Sequence, residues 1–453
     1  MSAKREHWGS RLGFIMATAG SAVGLGNIWK FPYMAGDNGG AAFIIIYLAL
    51  VFTIGLSVLL AEIMIGRASQ SDAVNAFKKL GPGFFSIVGY MGIAAAFMIL
   101  SFYCVVAGWT IDYVIKFASG AFSGMDADAL GQAFGGFISD PVQPIIYQAI
   151  FVALTVMVVL GGVANGIERA GKILMPILFL ILIALVIRSV TLPGAGKGLA
   201  FFLAPDFSKI TGETIMAALG QAFFSLSLGM GAILTYGSYL DREANLGKSA
   251  WQVTFLDTSV AILAGLAILP AVFAFGMDPG AGPGLTFVTL PAVFMSMPGG
   301  IFFGTLFFLL LTIAALTSSI SLLEPLVAFF SSKGYTRKQI TVTSGFLSFL
   351  LGIPCSLAMG IWGDFTIFGK NFFDLMDFLT SNLILPIGGF LIAIFVGWVV
   401  TPRALKEVCG EDAPGLLAKT WIFILRFIAP VAILLILLSG LGLLDDLQAA
   451  LGL

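Results

Sequence analysis

The residues best suited to chemistry lie in the first long apolar segment of the chain. Residues 19–27 read Ala-Gly-Ser-Ala-Val-Gly-Leu-Gly-Asn. Glycine weakens a helix, and the amide of Asn27 is costly in hydrocarbon unless it is hydrogen-bonded. A helix that breaks here leaves free carbonyls and amides, which can hold a cation or a polar solute where they face a wet cavity. The alternative is a small-residue face for helix packing, Gly20-x-x-x-Gly24.

A second stretch of the same kind lies halfway along the chain. Residues 218–231 read Ala-Leu-Gly-Gln-Ala-Phe-Phe-Ser-Leu-Ser-Leu-Gly-Met-Gly, with serines and glycines at the centre of a membrane-length run. Two interrupted spans at matching positions of two repeats indicate the binding site of a secondary transporter. Glycines used only for packing need not pair in this way, so the pair of stretches favours a transporter.

Oxygen-bearing side chains also occur in two further apolar segments. Asp257 is a carboxylate within a span, which is costly and by default indicates function, with a sodium ion as its natural partner. The alternative is that it points to the cytoplasmic rim near Lys248. The run Thr317-Ser318-Ser319 can supply hydroxyl ligands, or can bond back onto its own helix carbonyls.

The composition predicts an all-α polytopic membrane protein. The chain is 59% hydrophobic and 10% charged, whereas soluble domains carry about 25% charged residues. A net charge of -1 gives no basis for nucleic-acid binding. The three cysteines are far apart and predict no disulfide framework, and the one histidine, His7, is expected at the surface rather than on a metal. No cleaved signal peptide is expected at the N-terminus.

Apolar runs long enough to cross about 30 Å of hydrocarbon predict eleven spans. Their approximate positions are 12–35, 41–66, 87–117, 145–162, 168–190, 215–240, 250–276, 299–330, 340–359, 375–400 and 419–443. Thr286–Met297 is too short to cross and is expected as a re-entrant or surface helix over the external mouth. We predict one transmembrane domain over residues 1–443. It would hold inverted repeats at about 11–190 and 214–401, and an extra eleventh helix at about 419–443.

Basic residues predict the orientation of the spans. Most lysines and arginines of the loops fall on the side of the N-terminus, so the N-terminus is expected in the cytoplasm. An odd number of spans then places the C-terminus, with Asp445 and Asp446, outside. The fifth span begins with two glycines and contains Pro176, which weakens its start. An ordinary kinked start is favoured over one that unwinds to admit water.

Several motifs resemble the neurotransmitter:sodium symporters, specifically the bacterial leucine-transporter type. They are Lys4-Arg5-Glu6-His7-Trp8, Gly24-Leu25-Gly26-Asn27 with Phe31-Pro32-Tyr33, Asn38-Gly39-Gly40, Glu62 with Gly66-Arg67, Phe223-Phe224-Ser225-Leu226-Ser227 and Thr317-Ser318-Ser319. The resemblance runs from residue 4 to about residue 440. It implies a 5+5 inverted-repeat leucine-transporter-like fold in which helices 1 and 6 are unwound at mid-membrane, beside a scaffold of spans three, four, eight and nine. Many members have a twelfth span, so its absence bears on oligomer contacts, and a monomer or weak homodimer is expected.

The resemblance implies two sodium sites. The first would use the carbonyl of Ala22 with the side chains of Asn27, Ser225 and Asp257. The second would use the carbonyls of Gly20, Val23 and Ala314 with the hydroxyls of Thr317 and Ser318. The family usually has Asn where this chain has Asp257. Because a carboxylate would supply permanently the negative charge that chloride supplies in relatives, we expect chloride-independent transport.

The resemblance also implies a pocket for an amino acid. Its residues would be Ala22, Gly24, Leu25, Gly26, Ile99, Tyr103, Phe224, Ser225, Ser227, Met230, Ser318 and Leu322. The free amides of the first broken span favour a carboxylate, and carbonyls favour an ammonium. The wall is apolar, and Met230 stands where relatives often carry Phe. Because methionine adapts to differently shaped partners, we expect hydrophobic L-amino acids, aromatic ones included.

Gates follow from the same resemblance. The gate residues would be Arg5, Trp8, Lys30, Tyr239 and Asp377. Lys30 replaces the usual arginine of the outer gate and cannot make a bidentate pair, so that latch is expected to be weaker. The acid expected at the inner gate aligns with Ser332, so the inner latch is altered. Glu62 is expected to brace the broken first span.

These features predict sodium-coupled uptake of an amino acid across the inner (plasma) membrane of a bacterium, with the amino acid, sodium ions and the lipid bilayer as partners. A channel would need a continuous polar stripe or rings of charge. An intramembrane enzyme would need a paired nucleophile and base, and neither pattern is present. A sensor built on a transporter fold stays open as an alternative.

Overall fold

The protein is described by a computed structural model that covers residues 6–280, 282, 284–410 and 413–444. Throughout these residues the secondary structure is helical, apart from an isolated bridge between Ile367 and Lys370. The predicted all-α membrane class is confirmed.

Eleven segments follow one another along the chain, and two of them are interrupted. They are α1 (Arg11–Ala22, then Gly26–Asp37), α2 (Ala41–Ser69), α3 (Gly83–Ala118), α4 (Gln143–Leu160), α5 (Val163–Val190), α6 (Gly212–Ser225, then Ala232–Gly237), α7 (Leu246–Ala274), α8 (Gly300–Ser332), α9 (Arg337–Leu357), α10 (Phe372–Val399) and α11 (Leu416–Gly440). In the described part of the chain, nine continuous helices are long and apolar enough to cross a membrane, and the bent pair in α1 makes a tenth. The two pieces of α6 are shorter, so a count of eleven spans stays a prediction.

The break in α1 has a local cause. Its two helices meet at an angle of 51°. The first ends where Val23 turns to an extended backbone, and the side chain of Asn27 then accepts a hydrogen bond from the amide of Gly24 at 3.2 Å. A side chain therefore satisfies a backbone group that the interrupted helix leaves free, as an apolar surrounding requires.

The break in α6 depends on left-handed backbone. Ser227, Gly229 and Gly231 have φ angles of 55°, 79° and 71°, in a region that glycine enters without steric cost. The two breaks lie side by side, because the Ser227 hydroxyl donates to the carbonyl of Ser21 at 2.9 Å.

Four helices form a scaffold beside the interrupted segments α1 and α6. α3 and α8 pack against each other, and α4 and α9 pack against both. The first half of α1, Arg11–Ala22, packs against α5, α7 and α8; because the N-terminus is predicted in the cytoplasm, this half is called the inner half and Gly26–Asp37 the outer half. The segment expected over the external mouth is a short apolar helix, Leu285–Ser296.

α5 starts irregularly rather than as a plain kinked helix. Its first turn, Val163–Glu168, is π-helical and follows Gly162, whose φ is 80°. Pro176 lies within the regular helix Arg169–Val190.

Candidate functional site

A small cavity of about 30 Å³ lies between the two breaks. Its lining residues are Ser21, Ala22, Gly24, Leu25, Gly26, Ile99, Tyr103, Phe224, Ser227, Met230, Ser318, Ser321 and Leu322. Every residue expected in the amino-acid pocket is among them except Ser225. Two serines, Ser21 and Ser321, were not anticipated. Ser321 could have been found, because it lies one turn beyond Ser318 on the same face of α8.

Asn27, Ser225 and Asp257 form one buried cluster. The amide nitrogen of Asn27 donates to a carboxylate oxygen of Asp257 at 2.8 Å and to the hydroxyl of Ser225 at 3.0 Å. The Ser225 hydroxyl in turn donates to the other carboxylate oxygen at 2.8 Å. Asp257 is 0% exposed, so it does not point to the rim near Lys248. Three elements distant in sequence, α1, α6 and α7, therefore meet at this carboxylate.

This donor set suits a monovalent cation. In the described part of the chain, no group of three or more histidine, cysteine or acidic side chains could hold a metal ion. The cluster offers the carboxylate of Asp257 and the hydroxyl oxygen of Ser225, and Asn27 would contribute its amide oxygen, which accepts from Gly24 in this structure. Hard cations prefer oxygen ligands. A buried charge needs a compensating partner, and a sodium ion held by Asp257, Ser225 and Asn27 would supply it.

The residues expected at the second sodium site also lie together. The Ser318 hydroxyl lies 3.3 Å from the carbonyl of Val23, and the Thr317 hydroxyl donates to the carbonyl of Ala314 at 3.0 Å. Gly20 and Thr317 line one cavity of about 10 Å³. The sequence left open whether these hydroxyls bond back onto their own helix. The Thr317 hydroxyl does so at the carbonyl of Ala314, while the neighbouring Ser318 hydroxyl approaches Val23 of α1.

Two side chains hold the second half of α1, Gly26–Asp37, at the break. The amide of Leu25 donates to the hydroxyl of Tyr103 at 3.3 Å. The amide group of Gln221 donates to the carbonyl of Gly26 at 2.8 Å. Gln221 was not anticipated, although a buried amide in the second interrupted stretch is itself a signal.

A larger cavity of about 410 Å³ lies beyond the small one and shares Tyr103 and Phe224 with it. Lys30 and Asp377 both line this cavity. They do not form an ion pair with each other in the described part of the chain. Instead, the Lys30 ammonium lies 4.7 Å from the centre of the Phe224 ring, and Asp377 accepts a hydrogen bond from Ser381 at 2.8 Å. The lysine therefore contacts the Phe224 ring through a cation–π interaction.

A tryptophan packs on the side of the site that is predicted to face the cytoplasm. The indole nitrogen of Trp8 donates to the carbonyl of Tyr236 at 2.9 Å, and its ring contacts Phe14, Tyr236 and Tyr239. Arg5 lies outside the described residues.

Glu324 of α8 is a fully buried acid on the same side as Trp8. It accepts the hydroxyl of Tyr239 at 2.7 Å and pairs with Arg337 at 2.5 Å. Ser332 does not take this place, because its hydroxyl donates to its own helix at the carbonyl of Phe329. Glu324 was not anticipated, and it lies about two turns earlier in α8 than Ser332, which aligns with the expected acid.

Glu62 braces a different break from the one expected. Its carboxylate accepts a hydrogen bond from the amide of Gly229 at 2.7 Å, in the interruption of α6 rather than α1. The left-handed backbone at Gly229 turns this amide away from its own helix, so the amide needs a partner from a neighbouring span.

Comparisons with known proteins agree on one family. A model described as "Sodium:neurotransmitter symporter family" matches residues 5–123 and 139–448. An uncharacterized sodium-dependent transporter of Bacillus subtilis, YhdH, is 46% identical over 451 residues, 98% of this chain and 99% of its own length. The human sodium- and chloride-dependent GABA transporter 2 is 25% identical over 93% of this chain and 78% of its own. The crystal structure of MhsT in complex with L-phenylalanine matches with a TM-score of 0.89 at 50% identity, over 96% of this chain and all of that chain.

Proposed function

The chain belongs to the sodium:neurotransmitter symporter family, whose members are sodium-coupled transporters rather than enzymes, and from this premise we propose that it takes up hydrophobic L-amino acids together with sodium. The observation that carries the proposal is the buried cluster of Asn27, Ser225 and Asp257, set against a pocket between two broken spans.

The pocket suits a zwitterion with an apolar side chain. The outer half of α1 starts at Gly26 with its amides toward the break, where a carboxylate is favoured. Carbonyls of the break and the Ser227 hydroxyl suit an ammonium group. The walls at Ile99, Met230 and Leu322 are apolar, and the flexible Met230 suits side chains of several shapes. We propose leucine-sized to aromatic substrates, and the MhsT structure with L-phenylalanine supports this range.

Two sodium ions are proposed to bind on either side of the α1 break. The first would be held by the Asp257 cluster and the carbonyl of Ala22. The second would be held by Gly20, Val23 and Ala314 with the hydroxyls of Thr317 and Ser318. Sodium bound at these sites stabilises the outward-facing form if it has a higher affinity for that form than for the inward-facing one. An inward sodium gradient then drives uptake.

Transport is proposed to be independent of chloride. Asp257 provides a fixed negative charge beside the first sodium site. The B. subtilis relative is named sodium-dependent, and the more distant GABA transporter is named sodium- and chloride-dependent.

Equilibrium binding of labelled L-phenylalanine to the purified full chain tests this proposal. In chloride-free buffer, binding should require sodium and should not appear when potassium replaces it. The Asp257→Asn variant should need about tenfold more sodium, because a charge-assisted contact is worth about 1.5–3 kcal/mol more than none. Addition of chloride should lower the sodium requirement of this variant again.

An exposed Asp364→Asn variant is the matched control and should behave as the unmodified chain. Binding that ignores sodium in the unmodified chain would refute the proposal. An unaltered sodium requirement in Asp257→Asn would remove Asp257 from the site.

A further inference from the structure

We propose that Glu168 is a positioning residue of the transport cycle, whose carboxylate holds the cytoplasmic end of α1 on α5 and so keeps the second sodium site assembled. The effect of Glu168 on the sodium site rests on the proposed function. Its effect on how often α1 separates from α5 does not.

Glu168 concentrates three charge-assisted hydrogen bonds at one place. One carboxylate oxygen accepts the amide of Gly9 at 2.6 Å, and the other accepts the hydroxyl of Ser10 at 2.9 Å and the ammonium of Lys172 at 2.6 Å. The residue is 3% exposed. Bonds of this type are about twice as strong as neutral ones, and two of the three cross from α5 to α1.

The cytoplasmic end of α1 is shaped to receive this side chain. Ser10 is the N-cap of α1 and accepts the amide of Gly13 at 3.0 Å while donating to Glu168. The carboxylate thus faces the positive end of the α1 dipole. Gly13 packs directly on the Glu168 side chain, so that a Cβ at this position would overlap it.

The segment that precedes α1 also contacts the first residue of the π-helical turn Val163–Glu168, at the start of α5. Glu6 accepts the amide of Val163, and Arg337 lies 3.3 Å from its carboxylate. Residues 6–10 therefore run along the π-helical turn Val163–Glu168 and bond to both of its ends. A movement of the inner half of α1 away from α5 must break these contacts.

This attachment bears on the sodium site through a rigid helix. Ser10 and Gly20 lie at opposite ends of one helical segment, about 15 Å apart at 1.5 Å per residue. Gly20 packs on Thr317, and Ala17 packs on Gly171 of α5. Fixing the cytoplasmic end of this segment at Glu168 therefore fixes the carbonyls of Gly20 and Val23 relative to α8.

The attachment is built to open reversibly. Lys172 lies on the same helix as Glu168, four residues on, and stays beside it when α1 leaves. Opening therefore costs the two bonds to α1 without leaving a buried charge unpaired, which would cost far more. The carboxylate can hold α1 without locking it.

The test uses the full chain with Cys409→Ser and a reporter, Ala17→Cys, on the buried face of α1. The rate of maleimide labelling in potassium buffer measures how often this face opens to the cytoplasmic side. With Glu168→Gln added, we expect labelling about tenfold faster, and about tenfold more sodium to suppress it to half. A role in stability alone would lower the unfolding temperature without changing the sodium dependence.

Glu407→Gln is the matched control, because Glu407 pairs with Arg67 on the same side of the protein, away from α1. It should leave labelling unchanged. A second variant, Gly13→Ala, places a methyl group where the Glu168 carboxylate lies and should also speed labelling. In a Glu168→Ala background the added methyl has room, so Gly13→Ala should cause no further increase there. This variant decides the matter if Glu168→Gln does not fold.

Unchanged labelling in folded Glu168→Gln, or an equal effect of Glu407→Gln, would overturn the proposal. A different result would separate the two proposals. If Glu168→Gln is labelled faster than the unmodified chain, but sodium suppresses labelling in neither protein, the proposed function is refuted and the role of Glu168 in holding α1 stays intact.

Discussion

At the residue scale, the hydrogen-bond inventory of the pocket restricts what it can recognise. Ser321 donates its proton to the carbonyl of Ser318 at 2.8 Å, and Ser21 donates its proton to the oxygen of Ser321 at 2.7 Å. Both protons are thus used within the protein. A serine oxygen can also accept, so the polar part of the pocket can accept a hydrogen bond from a substrate but has no serine proton to offer in return.

We therefore expect tryptophan to bind more tightly than its benzothienyl analogue, in which sulfur replaces the indole N–H. One hydrogen bond is worth about 1 kcal/mol, or about fivefold in affinity. Ser21→Ala should reduce this ratio toward one in competition binding, since it removes the accepting oxygen. Ser259→Ala, which removes a hydroxyl that donates to the carbonyl of Phe255 in its own helix, is the control. Equal affinities of the unmodified chain for the two ligands would show that the serines do not contact the side chain.

At the element scale, the interruptions of two helical segments are what the sequence predicts best. Glycine and serine at mid-membrane are a local signal, and the structure breaks α1 and α6 at those positions. Partners that depend on how helices cross were harder to foresee. Glu62 bonds to Gly229 rather than to α1, and Glu324 pairs with Arg337 of the next helix. Such contacts depend on rotation about a helix axis, which apolar periodicity alone does not determine in a span that is buried on most sides.

Two alanine substitutions in α6, one in the break and one in regular helix, test whether the left-handed backbone of the break is needed. Gly229 has a φ of 79°, and a Cβ there would lie 2.8 Å from the carbonyl oxygen of Leu385. Gly229→Ala should cost at least about 1–2 kcal/mol from backbone strain alone and should weaken phenylalanine binding tenfold or more.

Gly220 is the matched control, because it lies in regular helix and a Cβ there meets nothing within 4 Å. Gly220→Ala should be neutral or slightly stabilising in thermal unfolding. Equal effects of the two substitutions would argue that the left-handed backbone of the break is not required for binding.

At the scale of the whole molecule, the two sides of the pocket differ. On one side, the cavity of about 410 Å³ reaches Tyr103 and Phe224. On the other, Trp8 packs on Tyr236 and Tyr239, and Glu324 is bonded to both Tyr239 and Arg337. With the predicted cytoplasmic N-terminus, the larger cavity lies on the outer side of the pocket and the packed cluster of Trp8, Tyr239 and Glu324 lies on the inner side. This is the arrangement from which external substrate and sodium would bind, and from which an inward gradient would drive uptake by alternating access.

Uptake into proteoliposomes tests the central claim most directly. The full chain is reconstituted without chloride, and labelled leucine or tryptophan is added with an inward sodium gradient or with potassium on both sides. We expect accumulation above the external concentration only with the sodium gradient, and its collapse when the gradient is dissipated. Sodium-dependent binding without any accumulation would contradict symport and indicate a sensor, and accumulation only when chloride is restored would contradict the role given to Asp257.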